Sequence, residues 1–207
     1  MGMTSPAVAL FLLSIYGLLA FGVRMAVQLR RTGSAGFNGL GGASGSAERA
    51  GGLLLATAAL LCVIGLALQL SRTLDPLPAL DGEIASVTGF VLALLGIAAT
   101  VAAQFAMGDA WRIGVDPEEQ TELVTDGPFA LVRNPIYGAM IPAFIGIALL
   151  APNILTISGA ILLVAALELH TRLIEEPYLN RIHGQRYADY ASRVGRFLPA
   201  IGRLRQN

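Results

Sequence analysis

The stretch NILTISGAILLVAALELHTRLIEE, from Asn153 to Glu176, decides how the chain is read. Most of it is an apolar run long enough to cross a bilayer, since a spanning helix needs about 20 mostly apolar residues. Its end carries Arg172, Glu175 and Glu176, and ionisable side chains at the edge of a lipid-embedded helix are costly enough to mark a site. In helical register these three stand at i, i+3 and i+4 and share one face, with Glu168 a turn further in and able to pair with Arg172. Pro177 is expected to end or kink the helix there, because it restricts the residue before it. Two glutamates at a helix C-terminus oppose the macrodipole. A cationic ligand would resolve that conflict.

Outward from this segment, four more apolar stretches appear. They run from Pro6 to about Gln28, closing at Arg30-Arg31, from Gly51 to Leu70, from Ile84 to Met107 and from Tyr137 to Leu150, the last short and containing Pro142. Arg24, in the last turns of the first, is placed to snorkel to the interface. Ala151-Pro152-Asn153 makes a tight turn, so the last two helices are expected to form an antiparallel hairpin. Of the 207 residues 55% are hydrophobic and 14% charged, with a mean hydropathy of +0.65, whereas a soluble domain is nearer a quarter charged. The fold class follows: an all-α integral membrane protein of about five transmembrane helices. A tail rich in Arg and Tyr beyond Pro177 is expected to form one or two interfacial helices, which the resemblance given below implies are a cytosolic C-terminal helical cap. Residues 1–207 read as one domain, with a helical membrane scaffold over 1–110 and both polar clusters over 111–207, the part to which that resemblance gives ligand binding and catalysis.

Several function classes fall away. Net charge is zero, so there is no nucleic-acid footprint. Every basic residue is arginine, a bias that points to a GC-rich genome; the expected location is the plasma membrane of a bacterium. Met1 to Pro6 carries no basic residue, and the first apolar stretch is read as mature structure, not a cleaved signal. Cys62, alone in an apolar run, reads as a small buried hydrophobe. His170 and His183 stand apart and read as structural, so no metal is expected. The segment from Gly33 to Gly52 reads as a flexible connection. Gly39, Gly41 and Gly45 approach a dinucleotide fingerprint, but Ser44 occupies the required third position and no strand precedes it.

Arginine counts set the topology. The first loop holds Arg30, Arg31 and Arg49, the third Arg112 and Arg133, and the tail Arg181, Arg186, Arg193, Arg196, Arg203 and Arg205, against Arg72 alone in the second. Five spans put the richer set on one side, which the positive-inside rule makes cytoplasmic. That side also carries a second polar cluster, Gly127-Pro128-Phe129-Ala130-Leu131-Val132-Arg133-Asn134-Pro135-Ile136-Tyr137. Gly127-Pro128 signals a turn and Pro135 makes Asn134 extended. Such a loop can present backbone groups to a ligand, with Arg133 and Asn134 as polar anchors and Tyr137 for hydrogen bonding or stacking.

These residues together resemble a known family. Leu123 to Phe129, Val132 to Tyr137, Arg172-x-x-Glu175-Glu176, His183-Gly184-x-x-Tyr187-x-x-Tyr190 and Arg196-Phe197-Leu198-Pro199 are similar, in order and spacing, to the isoprenylcysteine carboxyl methyltransferases, relatives of the phospholipid N-methyltransferases. The resemblance covers the second half of the chain. It implies a membrane methyltransferase that uses S-adenosylmethionine, held in a cytosolic pocket under the C-terminal segment, and a lipophilic acceptor arriving from the bilayer. By position, Val124, Gly127, Arg133, Asn134, Tyr137, Glu176 and Tyr187 would bind the cosubstrate, with Arg172 and Glu175 catalytic, nearest the reacting groups. Asn134 stands where the eukaryotic pattern has His, and Asn cannot titrate. The acceptor stays open among an isoprenoid carboxylate, a thiol such as a small alkyl thiol, and a phospholipid amine. The alternatives are a membrane NADPH-dependent reductase of the sterol reductase type and a non-enzymatic membrane protein. Against the reductase, the third loop is acidic at Asp116, Glu118, Glu119, Glu122 and Asp126, where a 2′-phosphate would want bases.

Overall fold

A computed structural model describes residues 5–37, 47–114 and 122–204. The glycine fingerprint at Gly39, Gly41 and Gly45 and the acidic residues Asp116, Glu118 and Glu119 lie outside the described residues. Among the described residues six helices build the fold: α1 Pro6–Thr32, α2 Ala47–Leu70, α3 Glu83–Ala106, α4 Pro135–Leu150, α5 Ile154–His183 and α6 Gln185–Arg193. Among the described residues there is no strand, only the isolated bridges Phe37–Ile113 and Val132–Gly195. Helices α1, α2, α3 and α5 are long and apolar enough to span a membrane, and α4 is a shorter apolar helix of 16 residues. The chain is thus an all-α integral membrane protein, with element positions close to those read from the sequence.

Local chemistry sets the helix ends. Pro6 occupies the first turn of α1, where its missing N–H costs nothing, and Ser5 caps it. Asn153 caps α5: its Oδ1 accepts from the amides of Leu155 and Thr156, and Thr156 Oγ1 accepts from the Asn153 amide. The Asn153 Nδ2 donates to Gly65 O and Gln69 Oε1 at 3.1 and 2.7 Å, which ties the α4–α5 turn to α2.

The turn joins α4 to α5, but each packs more extensively on another helix: α4 on α3 and α5 on α2. The reason is the spacing of small residues. Gly89, Ala93 and Gly96 face Ala143 and Gly146 so closely that a Cβ at Gly96 would lie 2.5 Å from the Ala143 nitrogen. Ala58, Cys62 and Gly65 face Gly159 and Thr156 in the same way. Lipid tails are as apolar as leucine, so association in a bilayer rests on such close backbone approach. Between the two pairs lies a core including Leu12, Tyr16, Leu66, Ile97, Phe144, Ile147, Leu163 and Leu167.

Helices α1 to α5 alternate in direction. Ser5 and Leu77 bond to the carbonyls of Leu150 and Pro152 at one end. The end of α1, the end of α3, the start of α4 and the end of α5 meet at the other. There Arg24 departs from its expected outward course. It is fully buried, its guanidinium carbon 4.5 Å from the Trp111 ring centre and 5.4 Å from that of Phe105. It donates to Gln28 Oε1 at 2.8 Å and to Gly108 O at 2.5 Å. Carbonyls beyond the end of α3 need donors, and two ring faces attract the cation, so the arginine turns inward.

Pro177 does not end α5, which continues to His183. A wide π-turn over Thr171–Glu175 ends one residue short of it. In a regular helix the proline ring would meet the carbonyl four residues back; the extra residue in the wide turn relieves that conflict.

Candidate active site

Arg172, Glu175 and Glu176, expected on one helical face, have different surroundings beside this π-turn. Arg172 points outward, its side chain 56% exposed, and pairs with Glu168. Glu175 turns toward α4, where the Tyr137 hydroxyl donates to its Oε1 and His170 Nε2 lies 3.5 Å away. Glu176 is buried on a third side. Arg133 Nη2 donates to its Oε1 at 2.6 Å, and Arg196 donates through Nε at 2.8 Å and Nη2 at 2.9 Å. Since α5 runs on past it, Glu176 is not the exposed terminal carboxylate that the sequence suggests.

Arg133 is the hub of the cap. Besides Glu176 it donates to the carbonyls of Ala191, Val194 and Gly202 at 3.0, 2.5 and 3.0 Å. Backbone pairing of Arg133 and Asn134 with Gly195 and Arg196 seals the same seam. Gly195 is required there, as a Cβ would run into the Leu198 carbonyl. Around the seam Leu123, Tyr187, Tyr190 and Ala191 form a second small core. Burial pushes the Tyr190 phenol up to about 12, so it stays protonated and donates to Phe129 O at 2.6 Å. Burial, and after it the Glu176 carboxylate, also raise the Tyr187 phenol. Hydrogen bonding to Glu176 holds the Arg196 guanidinium above its ordinary value.

Under the cap lies a cavity of about 740 Å³, within the size range of small-molecule sites. One wall is apolar: Leu13 and Phe21 of α1, Leu55 and Val63 of α2, and Leu163 and Leu167 of α5. Phe21 and Val63 are also exposed at the molecular surface. The opposite wall is polar, and its cap side is formed by Val124, Arg133, Asn134, Tyr137, Glu175 and Tyr187. Of the residues singled out from the sequence these six line the cavity. Gly127, Arg172 and Glu176 do not. Gly127 instead takes a positive φ of 55° at the turn before Pro128, a conformation glycine adopts without strain.

Four further lining residues escape the sequence reading: Arg112, Trp111, His170 and Tyr178. Arg112 Nη2 donates to the Tyr178 hydroxyl at 3.1 Å, with its guanidinium 5.7 Å from that ring's centre. The signal for His170 is in the sequence, one helical turn before Glu175, but spacing alone cannot tell which face it takes. Arg196 is the other omission. It belongs to a quoted motif, and its bond to Glu168 Oε1 at 3.0 Å completes a Glu168–Arg196–Glu176–Arg133 network.

This arrangement is that of a helical membrane protein with a capped pocket. The phospholipid methyltransferase family matches residues 84–186, about half of the chain, from α3 to the start of α6. The chain belongs to this family of membrane methyltransferases. It is 26% identical over 114 residues to the nickel-cobalt-cadmium resistance protein NccN of Alcaligenes xylosoxydans xylosoxydans. That match takes in 55% of this chain and 53% of NccN, so the chain spans about half the length of this curated relative. The fold is similar to that of the eukaryotic intramembrane Ras methyltransferase, isoprenylcysteine carboxyl methyltransferase. The TM-score is 0.63 at 22% identity, over 94% of this chain and 66% of that one.

Proposed function

We propose that the protein transfers a methyl group from S-adenosylmethionine to a lipophilic or small membrane-permeant acceptor, at the cytosolic face of a bacterial plasma membrane. The observation that carries this reading is one continuous cavity with a polar wall beneath the cap and an apolar wall between α1, α2 and α5. When bound, S-adenosylmethionine supplies an electrophilic methyl group on a sulfonium.

The residues present suit such a molecule. Arg133 lines the cavity wall with its guanidinium fixed by Glu176, which places positive charge beside a bound ligand. Glu175 offers a carboxylate to a cationic group. Asn134 and Tyr187 add neutral polar atoms. Glu176 and Arg196 act at one remove, by fixing Arg133 and closing the cap, which excludes water from the reacting groups. Arg172, directed at Glu168, would then support that network from outside, with Gly127 shaping the loop that carries Val124. The apolar wall suits an acceptor chain entering past Phe21 and Val63, and transfer then depends mainly on alignment.

The test is ligand binding to detergent-purified protein. S-adenosylmethionine and S-adenosylhomocysteine are expected to raise the melting temperature while NADPH does not. Stabilisation by NADPH alone would favour the reductase reading instead.

A further inference from the structure

Beyond α6 the chain makes a short apolar turn, Phe197-Leu198-Pro199-Ala200-Ile201. The Arg196 amide donates to Ile201 O at 2.7 Å and the Ile201 amide to Leu198 O at 3.2 Å, while Ala200 takes a positive φ of 65°. These bonds fix the shape of the turn, yet its side chains stand in the open. Leu198 is 58% exposed and Ile201 64%, with Pro199 and Ala200 exposed between them. Apolar residues shown in succession outside the spanning helices mark a surface that meets a partner.

The position of the turn names that partner. Phe197 lies against the first turn of α4, where a Cβ at Gly138 would come within 2.9 Å of the Phe197 carbonyl oxygen. Helix α4 has 16 residues, which rise about 24 Å against a hydrocarbon core of about 30 Å. A helix of that length cannot carry both its ends past the headgroups. Arg196, which leads into the turn, bonds to Glu168 of α5, and Glu168 is only about 21 Å along that helix from Ile154. Both measures place residues 198–201 where acyl chains give way to headgroups. The charges agree. Arg193 and Arg203 flank the turn and are exposed, and residues 190–207 include no Asp or Glu. Of the nearest acidic side chains, Glu168 and Glu176 are held by arginines, and Asp189 accepts from Gln185.

We propose that residues 198–201 anchor the cap in the membrane, with the apolar tip among acyl chains and Arg193 and Arg203 on anionic headgroups, the arrangement expected of an interfacial anchor. The anchor acts on the pocket through its own backbone. Gly195 and Arg196 pair with Arg133 and Asn134 on the cavity wall, and the Arg196 side chain holds Glu176. Seated in the bilayer, the turn keeps this seam closed over the cavity; withdrawn, it loosens the seam. The anionic lipid content of the membrane thereby sets how firmly the pocket is shut.

The full chain in nanodiscs of phosphatidylcholine, alone or with phosphatidylglycerol, tests this without a methyl donor, so neither result depends on the reaction assigned to the pocket. A nitroxide is attached through Ile201→Cys, the native Cys62 being buried. Oxygen, which concentrates among acyl chains, should relax the label more than a water-soluble nickel chelate does. The reverse order overturns the anchor, as does shielding from both, which would mean that a protein surface covers the turn. Proteinase K cleavage within residues 185–204 reads closure of the cap. Leu198→Ser combined with Ile201→Ser should speed it about tenfold or more, the scale of withdrawing two aliphatic side chains from lipid. The melting temperature should hold, since neither residue belongs to an apolar core. Phosphatidylglycerol should slow cleavage of the parent several-fold, an effect lost in high salt and in Arg193→Gln with Arg203→Gln. Equal cleavage of the parent and the serine pair overturns the anchor. Equal rates with and without phosphatidylglycerol overturn its preference for anionic lipid.

Discussion

The α3–α4 interface and the seam between α5 and the cap are both buried, and opposite chemistry holds them. The first is a contact of backbone on backbone, permitted by Gly89, Ala93 and Gly96 facing Ala143 and Gly146. The second is a network in which Arg133 and Arg196 enclose Glu176. The scaffold interface depends on what its side chains lack, and the cap on each charge having its partner. Removing one member of a buried ion pair is therefore expected to cost more than adding a methyl group to a tight helix contact.

Glu176→Ala tests the strong end of this contrast. It leaves two buried guanidinium groups without their carboxylate, a change worth about 3–5 kcal/mol. A large fall in melting temperature, with early proteolysis within residues 185–204, is the expected outcome. Unchanged stability would mean that the network is not what holds the cap. Gly146→Ala comes next. Its methyl would run into the Ala93 backbone, and overpacking of this kind costs about 1–3 kcal/mol. Thermal unfolding should show a smaller loss, with the cap still protected from protease.

Glu175→Gln sharpens the comparison from within the seam. Its carboxylate faces the cavity, not the buried network, so stability should change by less than about 1.5 kcal/mol, the size of one ordinary hydrogen bond, while turnover falls steeply. Adjacent glutamates would then have opposite phenotypes, which melting curves and rates measured on the same two variants would resolve. The smallest effect is expected of Arg172→Lys. An exposed pair with Glu168 contributes about 0–1 kcal/mol, and the side chain lies off the cavity. Cosubstrate affinity and turnover should both persist. A large loss of turnover would instead assign Arg172 the catalytic role that its place in the motif suggests.

Much of this was legible before any coordinates. The apolar runs gave five helices whose bounds shifted by a few residues, because length and hydropathy are local properties. The α4–α5 turn was legible in Ala151-Pro152-Asn153, but its tie to Gly65 and Gln69 was not. Arg133, Asn134, Tyr137 and Glu175 were singled out by residue type and spacing, and all four line the cavity. Arg24 was misplaced because its aromatic partners come from Phe105 and Trp111, some eighty residues later. The place of His170 in the cavity lining is not legible in the sequence, since a lone histidine in an apolar run carries no sign of the face it will take.

The amino-acid sequence by itself determined the class of molecule: a membrane-spanning helical chain with two polar clusters at one end, because burial in lipid demands runs of apolar residues and makes every charge conspicuous. Only the tertiary structure decided how those charges are shared out. At the five-residue π-turn Arg172 faces outward, Glu175 lines the cavity and Glu176 joins the cap. The rotation of one residue against the next depends on hydrogen bonds that Pro177 forces to rearrange and on partners distant in sequence. Helical spacing, which assumes a regular turn, has no means of registering either.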